Sequence, residues 1–213
     1  MSSDVLVTTP AQRQTEPHAE AVSRNRRQQA TFRKVLAAAM ATLREKSYAD
    51  LTVRLVAARA KVAPATAYTY FSSKNHLIAE VYLDLVRQVP CVTDVNVPMP
   101  IRVTSSLRHL ALVVADEPEI GAACTAALLD GGADPAVRAV RDRIGAEIHR
   151  RITSAIGPGA DPGTVFALEM AFFGALVQAG SGTFTYHEIA DRLGYVVGLI
   201  LAGAYEPSTG GSE

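Results

Sequence analysis

Apolar residues recur at spacings of three and four along most of the chain, the period that gathers them on one face of a helix. Phe32, Val35, Leu36, Ala39, Met40 and Leu43 share such a stripe, which predicts a helix over 24–46. Val53, Val56, Ala57 and Ala60 mark the buried face of a short second helix. Thr52, just ahead of it, can accept a hydrogen bond from an otherwise unpaired first-turn amide. Pro64 has the fixed φ and missing N–H that suit the first position of a helix, so 64–71 is predicted as a third. Two short helices joined by about four residues make a helix-turn-helix. A fourth helix follows Ser72 or Ser73, carries Leu77, Ile78, Val81, Tyr82 and Leu85 on its apolar stripe, and stops before Pro90.

The three prolines of 90–100 mark a linker. Beyond it, helices are expected at about 101–116, 118–129, 135–156, 162–179 and 186–204, divided by turns such as Asp130-Gly131-Gly132 and Gly157-Pro158-Gly159. No segment alternates as a strand does, so the chain reads as all-α. Residues 1–22 mix Ser, Thr, Pro, Gln and Glu without apolar period and are expected to form a disordered tail, as is the Ser- and Gly-rich stretch 206–213. The expected organisation is therefore a tail over 1–22, a three-helix helix-turn-helix domain over 23–73, a connecting helix over 74–89, a linker over 90–100 and a helical domain over 101–205.

The formal net charge is zero, with 21 basic and 21 acidic side chains, which by itself argues against a polyanionic partner. Position changes that reading. From Arg24 to Arg87 there are twelve Lys or Arg and four acids, whereas from Gln88 onward there are eight Arg and fourteen acids. A basic module followed by an acidic one suggests that the head meets a polyanion and the body does something else. Cys91 and Cys124 stand in no Cys-x-x-Cys or Cys-x-x-His pattern and are expected as free, buried thiols. There is no leader-like opening and no stretch approaching roughly 20 apolar residues, so the expectation is a cytoplasmic protein with no membrane partner. Phosphate loops, dinucleotide fingerprints, zinc motifs and Gly-x-Ser-x-Gly elbows are lacking as well. Neither catalysis nor a cofactor nor a metal is expected.

Charge is given a purpose by the segment Leu51-Thr-Val-Arg-Leu-Val-Ala-Ala-Arg-Ala-Lys-Val-Ala-Pro-Ala-Thr-Ala-Tyr-Thr-Tyr-Phe71-Ser-Ser-Lys74. A short helix led by Pro64 can enter a major groove about 12 Å wide and present its N-terminal side chains to base edges. Ala65, Thr66 and Thr69 are small enough to let the backbone approach, and their methyl groups can touch thymine methyls. Arg54 is long enough to reach a guanine with two hydrogen bonds. These four are the candidates for reading bases. Tyr68 and Tyr70 can donate to phosphate oxygens, Thr52 and Lys74 lie at helix N-termini where free amides favour a phosphate, and Arg24, Arg26 and Arg27 precede or open the first helix and can follow the backbone.

This segment closely resembles the DNA-binding signature of the tetracycline-repressor (TetR) family, directly over about residues 26–85. The match includes the threonine that opens the second helix, the Pro-x-Thr-x-Tyr-x-Tyr-Phe recognition helix and the Ser-Lys that starts the fourth. The resemblance implies a DNA-binding regulator, by default a repressor, and supports phosphate roles for Thr52, Tyr68, Tyr70 and Lys74 with base contact around Arg54, Thr66 and Thr69. Two positions depart from the family pattern. Lys61 stands where glycine is usual in the turn, and a non-glycine residue with positive φ costs on the order of 1 kcal/mol. Ala63 replaces the usual serine cap at a cost of ~1 kcal/mol. The rival reading is a helical small-molecule-binding protein whose DNA-binding head is weakened by these two changes.

For the second domain, the resemblance implies a helical ligand-binding and dimerisation unit that pairs through its last two long helices into a homodimer. Phe166, Met170, Gly174 and Val177 on the penultimate helix, with Leu193, Val197, Ile200 and Leu201 on the last, are the candidates for that interface. A dimer is also favoured because one short recognition helix reads few base pairs, whereas two can span a palindromic operator. Candidates for an effector pocket are His109, Leu112, Val113, Cys124, Leu128, His149, Ile152, Phe172 and Phe173, with the histidines as polar anchors in an otherwise apolar cavity. The partners expected are thus a double-stranded DNA operator, a second copy of the chain and a hydrophobic small-molecule effector.

Overall fold

Every apolar stripe identified in the sequence becomes a helix, and among the described residues the chain holds nine helices and no strand. A computed structural model describes residues 16–204, with side chains from Asn25 onward. The predicted tails at 1–15 and 206–213 and the side chain of Arg24 lie outside the described residues.

The head comprises α1 (Glu16–Leu43), α2 (Val53–Arg59) and α3 (Pro64–Tyr70). Here the predicted tail is corrected, because α1 begins at Glu16 and takes in residues 16–22. Glu16, Ala19, Glu20 and Ala21 are strong helix formers, the acids sit at the favourable positive end of the dipole, and Pro17 is tolerated in a first turn. At its other end α1 stops at Leu43, three residues short of the prediction. Thr52 caps α2 as expected, accepting from the Leu55 amide at 3.1 Å. Val35, Leu36, Ala39, Val56, Ala57, Ala67 and Phe71 form the head's core, and the Phe32 and Phe71 rings stack at 5.1 Å.

The body comprises α4 (Lys74–Gln88), α5 (Met99–Leu112), α6 (Pro118–Asp130), a 3-10 turn at Gly131–Ala133, α7 (Pro135–Ile156), α8 (Pro162–Gly180) and α9 (Tyr186–Ala204). Proline occupies the first or second position of α3, α5, α6, α7 and α8; four of these starts fall where the sequence puts them, whereas α5 begins at Met99, inside the expected linker. Helix α4 packs on α1 of the head and on α6 and α7 of the body, and it is the shared wall between the two halves.

The seam between α4 and α7 is polar at intervals and runs the length of α4. At its start, the Ser73 hydroxyl donates to Asp134, the cap residue of α7, at 2.9 Å. Midway, Arg143 pairs with the buried Glu80. At its end, the buried Arg151 guanidinium donates to the Val86 carbonyl at 2.9 Å and the Val89 carbonyl at 2.7 Å, satisfying groups that the helix terminus leaves without partners. Burial alone would raise the Glu80 carboxyl, but hydrogen bonds from His76 and Arg143 outweigh it and hold the group below its ordinary value. The two helices are therefore fastened along one side by charge-assisted bonds.

Candidate nucleic-acid interface and ligand cavity

The turn between α2 and α3 decides how the third helix is presented. Ala60 closes α2, Lys61 adopts a φ of 53°, and the Val62 amide donates back to the Ala57 carbonyl at 2.9 Å while the Lys61 amide donates to Ala58 at 3.1 Å. This is a left-handed helix stop of the Schellman type with a lysine where glycine is least strained. Helix α3 starts on Ala63, which makes no side-chain cap bond, as its lack of a hydroxyl requires.

Within α3 only Ala67 is fully buried, so the helix meets the head through Ala67 and the half-buried Tyr70 and turns Ala65, Thr66, Tyr68 and Thr69 to solvent. Tyr68 is 52% exposed, a large share for an aromatic side chain. Tyr70 is half-buried and packs edge-on against Phe32 at 6.1 Å. The Thr69 hydroxyl donates to the Ala65 carbonyl at 3.0 Å. Arg54 is exposed at the start of α2 and makes no hydrogen bond or ion pair among the described residues. Arg26 and Arg27 are exposed on α1, and the Thr52 hydroxyl, engaged as an acceptor, keeps its own proton available. The ammonium of Lys74 behaves differently: it donates to the Tyr48 carbonyl at 3.2 Å and lies 4.5 Å from the centre of the Tyr48 ring. It fastens the start of α4 to the segment between α1 and α2.

A cavity of about 760 Å³ opens in the body between α4, α6, α7, α8 and α9. Of the nine pocket candidates, Cys124, Leu128, His149 and Phe173 line it. The remaining five do not. His109 points to solvent from α5, Leu112 and Val113 lean on the core beside it, and Ile152 and Phe172 are wholly buried packing residues. His109 fails because the apolar stripe of α5 runs through Val103, Leu107 and Leu110, on the other side of the helix.

The wall also includes residues that were not among the pocket candidates, among them Tyr82, Thr125, Ile144, Glu169 and Tyr186. Tyr82 was legible in one respect, since a tyrosine on an apolar stripe needs a partner for its hydroxyl. At the rim, His149 Nδ1 lies 2.8 Å from Glu169, and Arg141 donates to the Leu128 carbonyl. Deep in the wall, burial pushes the Cys124 thiol up to about 12, so it stays protonated and unreactive. Cys91, expected to be buried, is half-exposed in the segment before α5, where Arg150 lies 3.5 Å from its sulfur. The prolines there keep that segment out of the core.

Residues 35–81, which span the end of α1, all of α2 and α3 and the first half of α4, match the family described as bacterial regulatory proteins, tetR family. Solved structures extend the likeness to the whole layout. A TetR transcriptional regulator from Rhodococcus sp. RHA1 superposes with a TM-score of 0.70 at 21% identity, covering 84% of this chain and 98% of that one. FadR from Thermus thermophilus, a TetR-family repressor in complex with lauroyl-CoA, gives 0.60 at 19% identity over 85% and 100%. FadR from Bacillus subtilis in complex with stearoyl-CoA gives 0.54 at 14% over 81% and 98%.

In this TetR-like body the proposed pairing residues divide sharply. Phe166, Met170, Gly174 and Val177 lie exposed along one side of α8, with Phe173 beside them. On α9, however, Leu193, Val197 and Leu201 are buried in the chain's own core and Ile200 is half-buried, which corrects the predicted face. The outward side of α9 carries Tyr195, 71% exposed, and Leu199, 57% exposed. The second half of α9, from Tyr195 to Leu201, is apolar on more than one side, so its periodicity marks two stripes, and packing against α5 takes the more aliphatic one. Helix α8 is also long and apolar enough, by length and composition, to cross a membrane, contrary to the sequence expectation. Its Leu168 and Phe172 instead complete the core of the helical body.

Proposed function

We propose that the protein is a ligand-responsive repressor that binds a palindromic operator in the cytoplasm as a homodimer, with α3 in the major groove. The observation that carries this reading is the presentation of α3, anchored through Ala67 and the half-buried Tyr70, with Ala65, Thr66, Tyr68 and Thr69 outward on a basic head. Arg54, Ala65, Thr66 and Thr69 would read base edges, and Arg26, Arg27, Thr52, Tyr68 and Tyr70 would contact phosphates. Lys74 would reach a phosphate only by sharing the ammonium that now holds Tyr48. The homodimer would form through the exposed apolar side of α8 together with Tyr195 and Leu199.

The cavity supplies the ligand-responsive part. Its inner wall is apolar, it is large enough for a drug-sized molecule, and α4 and α7 both contribute to it. Because those two helices are fastened at Ser73, Glu80 and Arg151, a ligand that moves α7 carries α4, and with it the head. Apolar chains are also part of the lauroyl-CoA and stearoyl-CoA complexes of the two FadR structures. The test is a fluorescence-anisotropy titration of DNA from upstream of the protein's own gene. Binding should survive excess unrelated competitor DNA and weaken with salt. Loss of all binding once competitor is present would leave only the small-molecule-binding role.

A further inference from the structure

One polar atom on the cavity wall is out of keeping with its surroundings. The Tyr82 side chain on α4 is 95% buried by its 5% exposure, lines the cavity, and its hydroxyl has no hydrogen-bond partner among the described residues. An unpaired hydroxyl in an apolar setting is costly, and buried tyrosines ordinarily find a partner for it. Among its neighbours on the wall, the Cys124 thiol is directed to the Ile78 carbonyl at 4.0 Å. Burial also raises the Tyr82 phenol well above its ordinary value, so it remains a proton donor throughout the physiological range.

The charged groups of the lining stand at the rim. Arg141, Asp142 and His149 are exposed there, His149 is paired with Glu169, and Arg141 is engaged with Leu128. With two carboxylates against one guanidinium, the rim gives no net attraction to an anion, and the inner wall carries no charge to meet a cation. Resting on the reading of this cavity as the effector site, we propose that it takes a neutral, largely apolar molecule bearing a carbonyl-type oxygen, which accepts a hydrogen bond from the Tyr82 hydroxyl at the inner wall. That bond fixes the ligand to α4, the helix that leads out of the DNA-binding head.

The test uses the full-length protein and Nile red, a neutral apolar dye with a carbonyl acceptor whose emission shifts to the blue in apolar surroundings. The wild type should bind it, and Gly145→Phe, which puts a ring into space where a Cβ meets nothing within 4 Å, should abolish binding. Absence of wild-type binding, or equal binding by Gly145→Phe, overturns the cavity as the site and the proposal with it. Given binding, 2-undecanone should displace the dye more effectively than undecanoate or decyltrimethylammonium. Tyr82→Phe, which keeps the ring, should weaken the ketone about three- to tenfold, the usual size of one neutral hydrogen bond. The same variant should melt at a higher temperature than the wild type without ligand, because it removes the unpaired hydroxyl. If the ketone binds Tyr82→Phe as well as wild type, if undecanoate or the ammonium proves the better competitor, or if unliganded Tyr82→Phe melts lower, the inference about Tyr82 fails while the cavity stands as a binding site.

Discussion

Helix α3 and the last two helices of the body both expose apolar surface, but for opposite structural reasons. Helix α3 is seven residues long and is held by Ala67, buried, and Tyr70, half-buried against Phe32, so the direction of the remaining side chains follows from one short face. Helices α8 and α9 are 19 residues each and apolar on more than one side, so neighbouring helices decide which stripe enters the core. A short helix with one narrow anchored face transmits its sequence directly into a surface. A long helix with two apolar stripes does not, because its orientation belongs to the tertiary structure as much as to its own periodicity.

The largest effect that could break this contrast is on α9. Leu193→Ala empties a core position and is expected to cost about 2–5 kcal/mol in denaturant unfolding, whereas exposed Leu199→Ala should stay within about 0.5 kcal/mol while weakening the dimer in sedimentation. The reverse ranking would mean that α9 faces the other way. Next in size, Arg54→Ala should lose about 1–3 kcal/mol of discrimination at one base pair of each half-site, read by titrating operator variants. Uniform weakening on all sequences would instead make Arg54 a phosphate contact.

Smaller effects sharpen the account of the head. Lys61→Gly should stabilise the protein by about 1 kcal/mol in urea unfolding, since Lys61 holds a φ of 53°. A loss of stability would show that its side chain makes up for the backbone strain. The last prediction concerns pH. Hydrogen bonding to Arg150, with Arg151 beside it, lowers the Glu147 carboxyl from 4.5 to about 2. A depressed carboxylate stabilises the fold fully above its unfolded value and loses that contribution as pH falls towards the folded one. The urea midpoint should therefore decline from about pH 5 downward, and Glu147→Gln should flatten that decline.

Much of the head was legible in the sequence because each feature there is local. Thr52 as a cap, Pro64 as a helix start, the positive φ at Lys61 and the missing cap at Ala63 are consequences of residue type and spacing. The starts of α6, α7 and α8 in the body were legible for the same reason, through their prolines. The cavity was not, because its wall combines residues from five helices, and an apolar residue such as Ile152 looks the same in sequence whether it lines a space or fills one. The contacts of Lys74 were not legible either. Its place at a helix N-terminus is as expected, but the Tyr48 carbonyl and ring that hold its ammonium belong to a distant part of the chain.

Footprinting across the DNA upstream of the protein's own gene tests the central claim most directly. Two heads carried by one dimer should protect a pair of inverted half-sites whose centres lie about 34 Å apart, one helical turn, or a multiple of it. Thr66→Tyr, which puts a bulky ring on the outward side of α3, should erase that protection. A single protected half, protection without inverted symmetry, or a footprint unchanged by Thr66→Tyr would contradict the reading of α3 as the element that reads DNA.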